Sequence, residues 1–254
     1  MPPSCVNDGG PASILWLPSG TVLDQEVVLG AGSREALHLW AARPGEILTA
    51  VNPEQGCFRV RLAAVADEPK AIPFARLARH VESRLRIDVY QALPEKERFE
   101  LVLQKLTELG AARIVPVETV HSSTQAERDA GQAKSHRWPD VVLKAAKQCR
   151  RAMLPELFAP VALSDALTLS DEAELKLIFY EGEGTWTLSE ALGRLRPERV
   201  ALLVGPEGGF ADAEVDEARS AGFLPVSLGP RILRTETAAI AGTALLQGLL
   251  GDLY

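Results

Sequence analysis

Two glycine-rich turns, each placed between an apolar run and a helical pattern, constrain this chain more than any other feature. The first is Leu202-Leu203-Val204-Gly205-Pro206-Glu207-Gly208-Gly209-Phe210. The second is Leu228-Gly229-Pro230-Arg231-Ile232-Leu233-Arg234-Thr235-Glu236-Thr237-Ala238. They lie about one strand-helix unit apart, so they can sit side by side at one end of a parallel sheet, where α/β proteins bind ligands. Gly205-Pro206-Glu207-Gly208-Gly209 has neither the Lys-Ser/Thr of a phosphate loop nor the spacing of a dinucleotide fingerprint. Its glycines let backbone approach a flat ligand, and a β-branched side chain at Gly208 is expected to intrude on it. Glu207 could hold a hydroxyl or amino group or balance a positive charge. A plain strand-to-helix turn with Glu207 in solvent is the competing interpretation.

In the second turn two arginines flank an apolar pair. Ile232 and Leu233 could sandwich a flat ring, and Arg234 is a forked donor suited to a phosphate. Thr235 or Thr237 could cap the following helix, and Glu236 in its first turn suits the helix dipole. A capped helix with solvated arginines is the alternative.

The rest of the chain divides in two. Residues 1–12 are expected to be disordered. Residues 13–80 hold short β runs at Ile14–Leu17, Val22–Leu29, Glu46–Val51 and Cys57–Ala64, with one short helix at Arg34–Ala41 and a hairpin connection at Asn52–Gly56. Together they read as a small barrel. Arg76–Arg86 reads as a linker. From residue 81 to 254, strands alternate with helices. Ile87–Tyr90 is a strand, and Phe99, Val102, Leu103 and Leu106 mark an amphipathic helix over Glu95–Leu109 that Gly110 closes. Strand Ile114–Val117 completes the βαβ unit. A helix opening at Trp138-Pro139, strand Leu175–Tyr180, a capping box at Thr187–Glu190, strand Val200–Val204, helix Asp212–Ala221 and strand Phe223–Leu228 follow. The last helix, Glu236–Leu250, is apolar nearly all round, which predicts the sheet on one side and a second copy on the other.

With 254 residues, 46% hydrophobic, the chain can bury a core without staples. Cys5, Cys57 and Cys149 fit neither a disulfide framework nor a zinc pattern, which suits a reducing cytoplasm. The N-terminal stretch has no apolar core for a signal peptide, no run reaches a membrane span, and no metal cluster is visible. A net charge of −7 argues mildly against nucleic acid, but two basic runs stand out. One holds Arg76, Arg79, His80, Arg84 and Arg86; the other holds Lys144, Lys147, Arg150 and Arg151. Each is either an RNA face or a solvated surface.

In wording and order the two turns resemble the cofactor loops of the 16S ribosomal RNA uridine-N3 methyltransferases, within the trefoil-knotted SPOUT superfamily. A third motif agrees: Glu95-Lys96-Glu97-Arg98-Phe99-Glu100 through Lys105, Glu108, Leu109 and Gly110. The likeness is strong over Ile87–Tyr254 and weak over the N-terminal barrel. It implies a PUA-like RNA-binding barrel followed by a knotted α/β methyltransferase domain, a homodimer, S-adenosyl-L-methionine as cofactor, and 16S ribosomal RNA of the small subunit as partner. The cofactor would be held by Leu203, Val204, Gly205, Pro206, Glu207, Gly208, Gly209, Leu228, Gly229, Arg231, Ile232, Leu233 and Thr237. Arg234 and Glu236 become the catalytic candidates. Arg84, Arg86, Lys144, Lys147, Arg150 and Arg151 become the RNA-binding ones. The sequence departs from the family pattern at Val120-His121-Ser122-Ser123-Thr124 and at Lys147-Gln148. His38, His80, His121 and His136 lie outside both loops, so no general base is named. A SPOUT enzyme acting on another RNA, such as transfer RNA, and a non-catalytic RNA-binding assembly factor are the rival readings.

Overall fold

The computed structural model describes residues 5–94, 96–122 and 137–253. Glu95, Ser123, Thr124 and His136, named above, lie outside them. The N-terminal unit comprises β1 (Val27–Val28), α1 (Ser33–Leu39), β2 (Ile47–Val51), β3 (Cys57–Ala64) and β4 (Lys70–Arg76). Its strands form an antiparallel sheet in the order β1-β4-β3-β2. Inward residues Phe58, Val60 and Leu62 of β3 meet Leu37 and Trp40 from the α1 side. The Trp40 indole donates to the Ser13 carbonyl at 2.6 Å, so the polar edge of a large buried ring is matched. Ile14–Leu17 contributes a single bridge between Trp16 and Val51 rather than a strand. Of Val22–Leu29 only Val27–Val28 pairs.

The expected N-terminal disorder is corrected from residue 5 onward. Cys5 bridges Phe158. The Asn7 side chain donates to the Pro155 carbonyl at 2.8 Å and accepts from the Leu157 amide at 2.9 Å. A Cβ on Gly9 would sit 2.3 Å from the Pro155 oxygen, so only glycine fits that approach. Asparagine and glycine there read as solvated chain; here they match backbone groups of another segment.

The second unit is built on eight strands: β5 (Arg86–Ala92), β6 (Arg113–Glu118), β7 (Glu156–Leu157), β8 (Val161–Ala162), β9 (Leu175–Phe179), β10 (Trp186–Thr187), β11 (Arg199–Val204) and β12 (Leu224–Ser227). Every pairing among them is parallel, in the order β10-β12-β9-β11-β5-β6-β7, with β8 also on β6. The interior strands are buried on both faces; β11 carries the apolar run Val200–Val204 that this requires, while β5 also buries Asp88 and Gln91. One face packs against α2 (Lys96–Glu108), α3 (Trp138–Cys149), α5 (Leu188–Leu192) and α7 (Thr235–Leu250). The other packs against α4 (Leu163–Leu169) and α6 (Asp212–Ser220). Phe99, Val102, Leu103 and Leu106 of α2 are all fully buried, as their spacing demands. Gly110 follows α2 with φ +79°. The buried Gln247 amide of α7 then donates to the Leu109 carbonyl just past the end of α2, 3.0 Å away. The two-residue strands and α4 carry too little local pattern to be read from sequence.

The linker and the second basic run are also corrected. Leu77 and Val81 pack against Val51, Cys57 and Ala152, so the connection is seated. Arg151 is 5% exposed. Its guanidinium grips Glu82 at 2.7 Å and donates to the Thr107 and Ala111 carbonyls. Glu82 in turn accepts from the Ala152 and Met153 amides. Arg151 therefore joins the linker to the α/β core and offers nothing to RNA. Lys147 is held by Glu46 at 2.6 Å. Lys144, Arg150, Arg84 and Arg86 remain exposed. Replacing Arg151 with Ala leaves Glu82 buried without its counter-charge. Loss of one partner of such a pair costs about 3–5 kcal/mol, so urea denaturation of Arg151→Ala is expected to show a loss of that order. An unchanged midpoint would show the pair to be dispensable.

Candidate active-site cleft

A cleft of about 510 Å³ opens at the carboxyl ends of β9, β11 and β12. Both glycine loops line it, but their strands are not neighbours, because β9 runs between β11 and β12. The expectation of adjacent strands is corrected, and the correction supplies a third wall. Phe179, which ends β9, and Tyr180, Glu181 and Gly182, which follow it, stand between the two loops.

Val226, Leu228, Phe179 and Ala238 provide apolar lining. Phe179 reaches this position because α7 carries Gly242. A Cβ there would lie 2.1 Å from the Phe179 ring. Gly209 (φ +72°) and Gly229 (φ +115°) adopt backbone conformations that favour glycine, and added Cβ atoms would meet nothing within 4 Å. Gly205 is constrained otherwise, with a Cβ falling 3.0 Å from the Phe210 ring. Gly208 lines the cleft, and a Cβ there would first strike His121 at 2.9 Å. His121, set aside above as outside the loops, thus lies against the first one, with Nδ1 3.2 Å from the Gly209 carbonyl. Glu214 of α6 fixes that contact by accepting from the Val120 amide at 2.8 Å and from the Ala211 amide at 2.9 Å.

The helix motif and the first loop meet directly, through an ion pair of 2.9 Å between Arg98 of α2 and Glu207. Both side chains are about 30% exposed (29% and 31%), so solvent screens the pair and its value lies in fixing Glu207 at the cleft wall.

The second loop is anchored at Thr235. Its hydroxyl donates to the Gly205 carbonyl. It accepts from the Gln91 amide at 2.9 Å, and Gln91 also donates to the Ala92 carbonyl. Gln91 is fully buried on β5. Thr235 is therefore not a cap: Arg234 occupies the cap position of α7 and makes no side-chain cap bond. Arg231, Ile232, Leu233 and Arg234 all line the cleft, with Ile232 83% exposed at its rim.

Other candidates fall elsewhere. Leu203 is fully buried in the core on the α4 and α6 side of the sheet. Thr237 is exposed and Glu236 half-buried, and neither lines the cleft. One Glu236 carboxylate oxygen is buried without a hydrogen-bond partner among the described residues. Sequence reasoning missed Tyr180–Gly182, although Tyr180-Glu181-Gly182-Glu183-Gly184 is itself a strand-ending glycine turn. It also missed Gln91, a lone amide inside an apolar strand.

A partly apolar cleft walled by three glycine-bearing backbone segments, with a carboxylate on one side and arginines at the rim, suits a flat ring carrying a polar, partly cationic extension. A profile of the RNA methyltransferase domain matches residues 81–247. The "Ribosomal RNA small subunit methyltransferase E" of Buchnera aphidicola (from Schizaphis graminum) is 35% identical over 178 residues, 69% of this chain and 70% of that protein. The chain belongs to this family. The Aquifex aeolicus member is 31% identical over 74% of this chain and 81% of its own length. Among solved structures, the Neisseria gonorrhoeae member bound to S-adenosyl methionine superposes with TM-score 0.66 at 30% identity, covering 94% of this chain and 98% of that one. A Legionella pneumophila protein in complex with the bound cofactor SAM gives 0.67 at 34% identity, with the same coverage.

Thr235→Val keeps the shape and removes the hydroxyl. It strands the Gly205 carbonyl and one Gln91 N–H, so a loss of about 1–3 kcal/mol is expected in chemical denaturation, with Thr235→Ser close to the parent. Equal stability of the Val variant would show that the hydroxyl does not tie the loops.

Proposed function

We propose that the protein is an S-adenosylmethionine-dependent methyltransferase that methylates N3 of one uridine in 16S ribosomal RNA of the small subunit. The observation that carries this reading is the three-walled cleft, in a chain whose relatives are named for that RNA and in a fold whose neighbours hold that cofactor. The residues fit the cofactor: apolar Val226, Leu228 and Ala238 for its adenine, and Glu207 for a hydroxyl or ammonium group. When bound, S-adenosylmethionine supplies an electrophilic methyl group on a sulfonium.

Uracil N3 carries a proton, and only its deprotonated form is a strong nucleophile. Arg234, exposed at the cleft rim and held at the cap position of α7, stabilises the negative charge that develops on the uracil. Its backbone cannot drift, because the next residue is the buried Thr235 anchor. Arg234→Ala is expected to lower turnover on the order of a hundredfold while leaving cofactor affinity nearly unchanged, since the charge arises in the transition state. Arg234→Lys recovers little, because a point charge does not reproduce the fork. Small subunits from a strain lacking the enzyme, labelled cofactor and nucleoside digestion read this out. Label on ribose, cytidine or transfer RNA would overturn the substrate.

The N-terminal sheet serves as a PUA-like barrel, the α/β unit is trefoil-knotted, and the protein works in the cytoplasm as a homodimer. Support for the dimer is the outer face of α7, where Leu245 is 47% and Leu249 56% exposed, continued by Leu253 at 50%. An apolar strip of this kind is unusual on a monomer. Sedimentation equilibrium at micromolar concentration is expected to give twice the chain mass, and Leu245→Glu with Leu249→Glu to give the chain mass. A monomeric parent would refute the interface.

A further inference from the structure

We propose that the seam between the N-terminal sheet and α3 seats a phosphate of single-stranded RNA between Arg59 and Arg150, with Phe74 as the platform for a neighbouring base. The inference rests on the reading that the substrate is RNA, and it names where the strand runs outside the cleft.

The Arg59 guanidinium and the Arg150 backbone meet at one buried hydroxyl. Arg59 of β3 donates to Thr49 Oγ1 at 2.7 Å and reaches toward the Ile47 carbonyl at 3.4 Å. Thr49 passes its own proton to the Arg150 carbonyl at 2.8 Å. Thr49 thus brings the Arg59 guanidinium next to the main chain of the exposed Arg150, and neither arginine makes an ion pair with a carboxylate among the described residues. Glu46, just before β2, is engaged by Lys147 and by the Arg43 amide. Burial, and then the charge of Arg150, hold the Arg59 guanidinium below its usual range. An anion between the two relieves that repulsion. Arg61 lies two residues along β3 on the same outward face and is exposed.

Arg150 stands in the left-handed region, φ +66° and ψ +34°, at the end of α3. Glycine is the ordinary occupant of such a helix end. The chain carries a guanidinium there at a conformational cost, which a purely structural cap does not require.

Phe74 supplies the choice of strand type. The β3–β4 register shifts between Arg59, opposite Ala75, and Val60, opposite Pro73. Phe74 is the unmatched residue of this bulge, on the strand paired with Arg59's and next to its partner Ala75, and stays 38% exposed. An aromatic face next to guanidinium groups suits unstacked bases and their phosphates; a duplex keeps its bases stacked away from such a ring.

Arg150→Gly separates the roles. Glycine accepts the backbone conformation, so the melting temperature is expected to hold or rise and cofactor affinity to stay constant. Affinity for a labelled oligouridylate is expected to fall several-fold, and the slope of log affinity against log salt to drop by about 0.7, the value for one lost phosphate contact on a single strand. Phe74→Ser should weaken binding by roughly five- to a hundredfold with the salt slope unchanged, the mark of lost stacking. An unchanged slope for Arg150→Gly, or tighter binding of a duplex than of the oligouridylate, would overturn the proposal. Methylation of small subunits is measured alongside. If the parent makes no 3-methyluridine yet the oligouridylate series behaves as stated, the reaction assignment fails and the phosphate seat stands.

Discussion

One hydroxyl organises this molecule. Thr235 lies where three distant stretches of chain meet: β5 through Gln91, the first glycine loop through the Gly205 carbonyl, and the start of α7. All three groups are out of solvent or nearly so, where an unmatched donor or acceptor is expensive. The arrangement therefore holds the two loops in one relation, and the cleft between them keeps its width. Gln91 spends its second N–H on Ala92 and cannot swing away without leaving both acceptors bare. Arg98 and Glu207 steady the outer wall in the same sense, though solvent weakens their share.

The seam between the two units works by different physics. Glu82 gathers Arg151 and two backbone amides, so the linker between sheet and core is a buried ionic node. Such a node gives little net stability over an apolar one, but breaking it is costly. Next to Arg151 in sequence, the Arg150 carbonyl accepts from Thr49 of the N-terminal sheet, a second link across the same seam. The phosphate seat proposed above needs the two units held in one relation.

Much of this was legible in the residues because it is local. Helix α2 announced itself by apolar spacing, the capping box at Thr187 by its two residues, and both loops by their glycines. Strand order was not legible: nothing in Leu175–Phe179 says that it inserts between β11 and β12, since parallel pairing is set by the whole packing. The third wall, Tyr180–Gly182, was missed for that reason. Arg150 and Arg151 are identical residues side by side, yet one is exposed and the other buried. The left-handed turn at Arg150 parts them, and no basic-run pattern encodes it. The segment from Cys5 to Ser13 failed similarly, because its polar residues match backbone groups roughly 150 positions away, at separations such as the 148 between Asn7 and Pro155.

Hydrogen–deuterium exchange with and without S-adenosylmethionine tests the central claim most directly, because it reads backbone amides on all three walls at once. The account predicts slowed exchange at residues 180–182, 205–209 and 228–235, with the N-terminal sheet unchanged. Protection confined to other segments, or to one of the two glycine loops alone, would contradict it.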